Sequence, residues 1–160
     1  IRYKMNLRHN MIKKNIGWCC IYLLLSTVFS CDKLPMNGDL DGMWQLMFVE
    51  KDGEVSDVKS RKRYWSFQLH LTQFSRSGDN TNRYFAHFKH EGDSLFVYDL
   101  CFPSENFTDT DDNVMFTESD VHILNQWGIY SLYNRYKVEK LDSDVMILKN
   151  DEMKLRFRKF

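Results

Sequence analysis

Residues 62–74 read Lys62-Arg63-Tyr64-Trp65-Ser66-Phe67-Gln68-Leu69-His70-Leu71-Thr72-Gln73-Phe74. Trp65, Phe67, Leu69 and Leu71 hold every second position, with Tyr64, Ser66, Gln68, His70 and Thr72 between them. Side chains alternate across a β-strand, so this period predicts one strand over Lys62–Phe74 with one apolar face. Such a face needs other strands to cover it.

The same period recurs on both sides. From Gly42, Trp44, Leu46 and Phe48 alternate with Gln45, Met47 and Val49, and Asp52-Gly53 supplies a turn. Ser75–Asn80 reads as a polar loop. Arg83–His90 and Ser94–Leu100 flank Glu91-Gly92-Asp93 as a hairpin. Residues 101–116 are irregular and acidic. Further on, Ile129–Lys140 carries Leu132, Tyr136 and Val138 on one side, and Leu141-Asp142-Ser143-Asp144 is a turn. Val145–Lys149 and Met153–Lys159 form a hairpin about Asn150-Asp151-Glu152, with Met153, Leu155 and Phe157 opposing Lys154, Arg156 and Arg158.

One short helix is expected near residues 117–127. Thr117 is its N-cap with Asp120 reaching back, Val121, Leu124 and Trp127 share a face, and Gly128 suits a left-handed cap. The expected fold is therefore all-β: an antiparallel barrel of about eight strands plus this helix. Closing a sheet removes the exposed edges that would template aggregation.

Charge divides the chain unevenly. Lys+Arg number 22 and Asp+Glu 22. Arg2, Lys4, Arg8, Lys13 and Lys14 lie in the first 30 residues and no acid does, which leaves 17 bases against 22 acids beyond them. That acidic body argues against nucleic acid as a partner, because such a partner needs a basic face. The basic leader has its own reading. Met11-Ile12-Lys13-Lys14-Asn15 precedes the apolar run Ile16–Phe29 and then Ser30-Cys31, the order of a signal peptide. The run falls short of the roughly 20 apolar residues that span a bilayer as a helix. Residues 1–10 read as an upstream extension, 11–30 as the signal peptide, 31–41 as a tether broken by Pro35 and Gly38, and 42–160 as the barrel. Met5 is a second candidate start.

Val28-Phe29-Ser30-Cys31 resembles the lipobox of bacterial lipoproteins. The resemblance implies cleavage before Cys31 and acylation of that residue, through a thioether diacylglyceryl group and a fatty acid such as palmitate on its amino group. Phe29 is bulkier than that pattern usually carries. Several acyl chains make a stable anchor where one binds marginally. The implied address is the bacterial cell envelope, at the outer membrane. Cys19 and Cys20 would leave with the signal peptide and Cys31 would carry lipid. Cys101 alone remains, so the mature chain has no disulfide framework and Cys101 reads as a buried, inert thiol.

Gly42-Met43-Trp44 places Gly-x-Trp at the start of the first strand, as in lipocalins. The closing strands Val138–Lys149 and Lys154–Phe160, and Trp127-Gly128-Ile129-Tyr130 after the helix, are similar to lipocalin-like lipoproteins of Bacteroidota. The resemblance covers residues 40–160. It implies that Trp44 closes the barrel floor under an arginine near the chain's end. Arg156 or Arg158 would be that arginine, although alternation puts both opposite Leu155 and Phe157. A second lipocalin motif between the middle strands is missing.

Catalytic patterns are missing too. His87 and His90 fall on opposite faces of one strand, and His70 and His122 lie elsewhere, so no zinc spacing arises. Asp109-Thr110-Asp111-Asp112-Asn113 fails the EF-hand pattern, with Val114 where glycine is needed. The Asn106-Phe107-Thr108 sequon carries no weight in a bacterial lipoprotein. No phosphate loop or nucleophile motif is present. The expectation is a protein that is not an enzyme and has no metal or cofactor.

Aromatic residues are the surplus: 20 of 24 lie beyond residue 30. Tyr84, Ala86 and Phe88 share a strand face, and with Tyr98 and Tyr136 they form the candidate lining of an apolar cup. Two functions follow as expectations. The first is non-catalytic binding of a small apolar or amphipathic ligand in the barrel mouth. The second is a filled barrel that acts as a protein-interaction or inhibitor module of the envelope.

Overall fold

The computed structural model describes residues 36–102 and 114–160. The leader, Cys31 and the Asp109–Asn113 loop lie outside the described residues. Nine strands are described: β1 (Gly42–Lys51), β2 (Glu54–Asp57), β3 (Arg63–Gln68), β4 (Leu71–Arg76), β5 (Asp79–Glu91), β6 (Ser94–Cys101), β7 (Asn134–Leu141), β8 (Val145–Lys149) and β9 (Met153–Lys159). All pairings are antiparallel, and β1 pairs with β9 as well as with β3. That closes eight strands into a barrel, with β2 as an extra strand on β1.

The expected long strand over Lys62–Phe74 is two strands. Leu69 takes a left-handed backbone with φ 56°, and Gln68 pairs back onto Leu71. The turn resets the parity. Trp65 and Phe67 point inward on β3, whereas Thr72 and Phe74 do so on β4. Leu69 is consequently exposed at the tip. Alternation alone continues unbroken through this tip, which is why the sequence conceals it.

β1 is bent in a comparable way. Its pairing with β9 shifts between Leu46 and Phe48, a bulge at Met47. Leu46 is buried, but Phe48 leaves the inner face and stands opposite Arg156. An extra residue in one strand re-aims everything after it. The expected sequence of Trp44, Leu46 and Phe48 on one face therefore ends at Leu46.

Two hairpins use one device. Asp142 Oδ1 accepts from the backbone N–H of Asp144 at 2.9 Å and of Val145 at 2.7 Å, and Asn150 Oδ1 accepts from Glu152 and Met153 at 3.1 and 2.9 Å. Side-chain oxygens thus stand in for a backbone turn. The Asp144 N–H first, with Lys140 and the Val145 N–H, lowers the Asp142 carboxyl pKa to about 2.

The helix exists in another form. Val121–Trp127 is a 3₁₀ helix, whose three residues per turn stack Val121, Leu124 and Trp127 in one row. All three are buried. Asp120 does reach back to the Thr117 N–H, at 2.8 Å, but this closes a turn ahead of the helix and caps nothing. Gly128 ends it at φ 87°, and a Cβ there would sit 2.8 Å from both δ-carbons of Leu155. Residues 129–133, expected to begin a strand, are irregular, and β7 starts at Asn134.

The core centres on Trp65. Its ring contacts Phe74 at 5.1 Å, Phe157 at 5.2 Å, and Phe67 and Tyr136 at 6.0 Å. Such pairs add about 0.5–1.5 kcal/mol each beyond buried area. Trp44 is wholly buried at one end of the same core. Replacing Trp44 by alanine should cost about 3–5 kcal/mol, read as a lowered midpoint in urea unfolding. A change below about 1 kcal/mol would make it peripheral to folding.

Candidate functional site

Three places bear on function: the barrel floor, the interior and its opposite end, and the outer face of β5–β7.

At the floor, Gly42 has φ 111°, and a Cβ on it would meet Lys159 Cε at 3.2 Å. Glycine is needed there for both reasons. Trp44 Nε1 donates to the Leu40 carbonyl at 2.8 Å. Leu40, inside the expected tether, is already buried. The cation over the Trp44 ring is Lys159, with Nζ 4.9 Å from the centroid, and it also donates to the Asp39 carbonyl at 2.7 Å. The resemblance implied Arg156 or Arg158 for this place. Neither takes it: Arg156 lies 5.9 Å over Phe48, and Arg158 donates to Gln45 Oε1 at 3.3 Å. Parity explains the correction. Lys159 falls on the side of Leu155 and Phe157 and pairs directly with Trp44.

The proposed cup residues do not share one cup. Tyr84, Ala86, Phe88 and Tyr136 are inside and buried. Phe88 packs on Phe67 at 5.0 Å. Tyr84, by contrast, packs on Phe116, Trp127 and Phe102 at 5.7, 5.8 and 6.2 Å. The Tyr136 hydroxyl donates to the Gly128 carbonyl at 2.8 Å, and burial holds its pKa far above the usual phenol value. Tyr98 is outside. Leu95 and Val97 take the inner face of β6, which turns Tyr98 outward.

The end opposite the floor is plugged. Trp127 Nε1 donates to the Ser75 carbonyl at 3.0 Å, and Trp65 Nε1 to the Trp127 carbonyl at 3.1 Å. Val121, Leu124, Trp127 and Ile129 are all buried against the barrel. Arg63 donates to the Gln126 carbonyl at 2.9 Å and lies 5.9 Å over the Trp127 ring. Burial, with Arg61 and Arg76 nearby, lowers the Arg63 pKa. Three buried side-chain polar atoms lack a partner among the described residues: Arg63 Nε, His90 Nε2 and the hydroxyl of fully buried Thr72, whose register partner is Ala86.

Outside, aromatic rings form a row that sequence reasoning missed. Tyr98 lies 6.0 Å from His87 and 6.4 Å from Tyr133, and Tyr133 lies 6.2 Å from Phe96. Arg135 covers Phe96 at 5.6 Å. His87 Nδ1 is 3.3 Å from an Asp99 carboxylate oxygen. Tyr133 is 59% exposed. The signal was available in Phe96-x-Tyr98, whose parity opposes Leu95 and Val97.

Among the described residues no group of three or more His, Cys, Asp or Glu can hold a metal ion, and none of their helices is long and apolar enough to cross a membrane. Cys101 is buried, with its Sγ 3.6 Å from the Phe85 carbonyl. Burial, with Asp99 adding, pushes its thiol pKa up to about 11.

The model of the lipocalin-like domain family matches residues 23–160. The chain belongs to that family of lipocalin-like domains. A lipocalin-like protein from Bacteroides uniformis is similar in structure, with 21% identity and a TM-score of 0.55 over 77% of this chain and 100% of that one. An uncharacterized protein from Bacteroides eggerthii matches with 21% identity and a TM-score of 0.54, over 76% and 99%. Both likenesses concern the fold. No curated protein matches the chain.

The thiol provides a check on the packing. With Cys19, Cys20 and Cys31 changed to serine, Cys101 should react with iodoacetamide at pH 8 at least about 100-fold more slowly than free cysteine, since the thiolate is the nucleophile. The rate should climb as pH nears 11. Rapid alkylation of the folded chain at pH 8 would contradict the burial.

Proposed function

We propose that this chain is a non-catalytic binding module of the bacterial cell envelope, lipid-anchored through Cys31, that engages a protein partner with the outside of its barrel. The observation that carries this reading is the filled interior. Trp44, Trp65, Phe67, Phe74, Tyr136 and Phe157 occupy it with at most 2% exposure each, and the plug of Val121–Trp127 covers one end. Ligand-binding barrels keep a cavity of roughly 300 Å³ or more. The row His87, Tyr98, Tyr133 and Phe96 with Arg135 supplies the outer surface. Tyrosine and arginine are the residues in which binding energy concentrates at protein interfaces.

A second reading, a small amphipathic ligand held inside, has one specific observation behind it. The Thr72 hydroxyl is buried without a partner and faces Ala86, the smallest side chain of the inner lining. A ligand head group or a water would satisfy it.

Tryptophan emission separates the two. Long-chain fatty acid added to the protein should leave the emission of buried Trp44, Trp65 and Trp127 unchanged, and Ala86→Trp should destabilise the fold for want of space. A saturable shift below about 100 µM fatty acid, abolished by Ala86→Trp in a folded variant, would favour the interior ligand. A photo-crosslinking residue at position 133 should join the chain to one discrete envelope protein, whereas the same residue at Asp151 should not. Equal labelling from both positions would remove the patch from consideration. For the anchor, Cys31→Ser should block acylation and release the chain from the detergent phase. Unchanged processing and partitioning would refute lipidation.

A further inference from the structure

We infer that the outer face of β1, β8 and β9 carries a site for a small organic carboxylate with an apolar body. A groove of about 340 Å³ lies there, lined by Phe48, Glu50, Val55, Ile147, Lys154 and Arg156. Its size falls within the roughly 300–1,000 Å³ of small-molecule sites, which pair apolar walls with a few polar groups.

Three features of the fold make this groove, and each departs from a plain eight-stranded barrel. The bulge at Met47 turns Phe48, a large apolar side chain, out of the core and onto the groove floor. Bulges that re-aim side chains recur beside sites. The extra strand β2, paired to the second half of β1, brings Val55 beside Glu50 as one wall. The third is the placing of Arg156. Its register neighbours are Phe48 on β1 and Ile147 on β8, both apolar.

The charges in the groove are not equivalent. Lys154 is bound to Glu139 at 2.8 Å and stands opposite Glu50. Beside the groove, Lys149 approaches Glu139 at 4.0 Å, and Lys59 pairs with Asp57 at 2.9 Å while its ammonium lies 5.2 Å from the Phe48 ring centroid. Arg156, by contrast, has no acidic partner within ion-pair distance among the described residues; its guanidinium lies over the Phe48 ring, 5.9 Å from the centroid. A guanidinium at this distance from an aromatic face keeps its donor edge free, and that edge matches a carboxylate with two parallel hydrogen bonds. The complementary ligand has its carboxylate on Arg156 and its apolar body against Phe48, Val55 and Ile147. Glu50 disfavours a dianion, which restricts the class to monocarboxylates. This site uses none of the residues of the β5–β7 patch, so it stands or falls separately from the protein-binding reading.

The test is calorimetric titration of the full chain with 4-phenylbutyrate. Its uncharged amide and acetate serve as matched probes, and Arg156→Gln and Val55→Glu as variants. Both side chains lie outside the core, and the thermal midpoint of each variant verifies the fold. The expected result is saturable binding of 4-phenylbutyrate at about millimolar or tighter. The amide should bind at least about tenfold more weakly, and acetate should not be measurable. Each variant should lose at least about tenfold. Three results would overturn the site: no saturable binding up to about 10 mM, equal affinity for the amide, or binding retained by folded Arg156→Gln, which would place the ligand elsewhere.

Discussion

The pairing of β1 with β9 is the constraint on which this domain rests. β1 is ten residues long and serves three partners. Its first four residues pair with β3, its last four with β2, and nearly its whole length with β9. Without β9 the sheet would be open, with two edges and half of its inner face wet. Apolar area is what drives folding, at roughly 25 cal/mol per Å², so closure is the step that turns a row of hairpins into a core. The bulge at Met47 belongs to this constraint. It lets one strand follow the curve of the barrel and still carry β2 beyond it.

Closure also explains how the interior is used. An eight-stranded barrel has an interior just wide enough for side chains to fill. Here Trp65 sits in the middle with rings from β3, β4, β7 and β9 around it. The ends are finished differently. Trp44 with the Lys159 ammonium seals one, through a cation over an indole face worth roughly 0.5–2 kcal/mol. A row of three apolar side chains on a 3₁₀ helix seals the other. The outer surface displays what strand parity leaves over, Tyr98 and Phe96 beside Tyr133 on one sector and Phe48 and Arg156 on another.

The sequence announces much of this and hides specific parts for physical reasons. Hairpins with glycine or an Asx residue at the tip, such as those at Gly92-Asp93 and Asn150, are legible because the turn chemistry is local. The hairpin between β3 and β4 is illegible because Leu69, an apolar residue at positive φ, continues the alternation through the tip. Phe48 misleads for a related reason: a bulge leaves no mark in composition and shows only in pairing. The floor was half legible. Gly42 and Trp44 are evident in the sequence, whereas the cation over the ring follows strand parity, which points to Lys159 and not to an arginine. Of the cup residues, parity puts Tyr84, Ala86 and Phe88 together, while Tyr98 lies on a strand whose inner face Leu95 and Val97 hold.

The closure has a consequence in time as well as in space. The Arg158 contact to Gln45 joins residues 113 positions apart, and that of Lys159 to the Asp39 carbonyl joins residues 120 apart. Contacts so distant along the chain are slow to form, because loop closure must precede any gain from them. A chain emerging from its N-terminal side can assemble the β3–β4, β4–β5 and β5–β6 hairpins as each appears. It cannot complete its core until β9 is present. Until then β1 keeps an open edge and Trp44 lacks its cover, so the unfinished chain is most vulnerable to pairing with neighbours. The barrel acquires its stability in one late event.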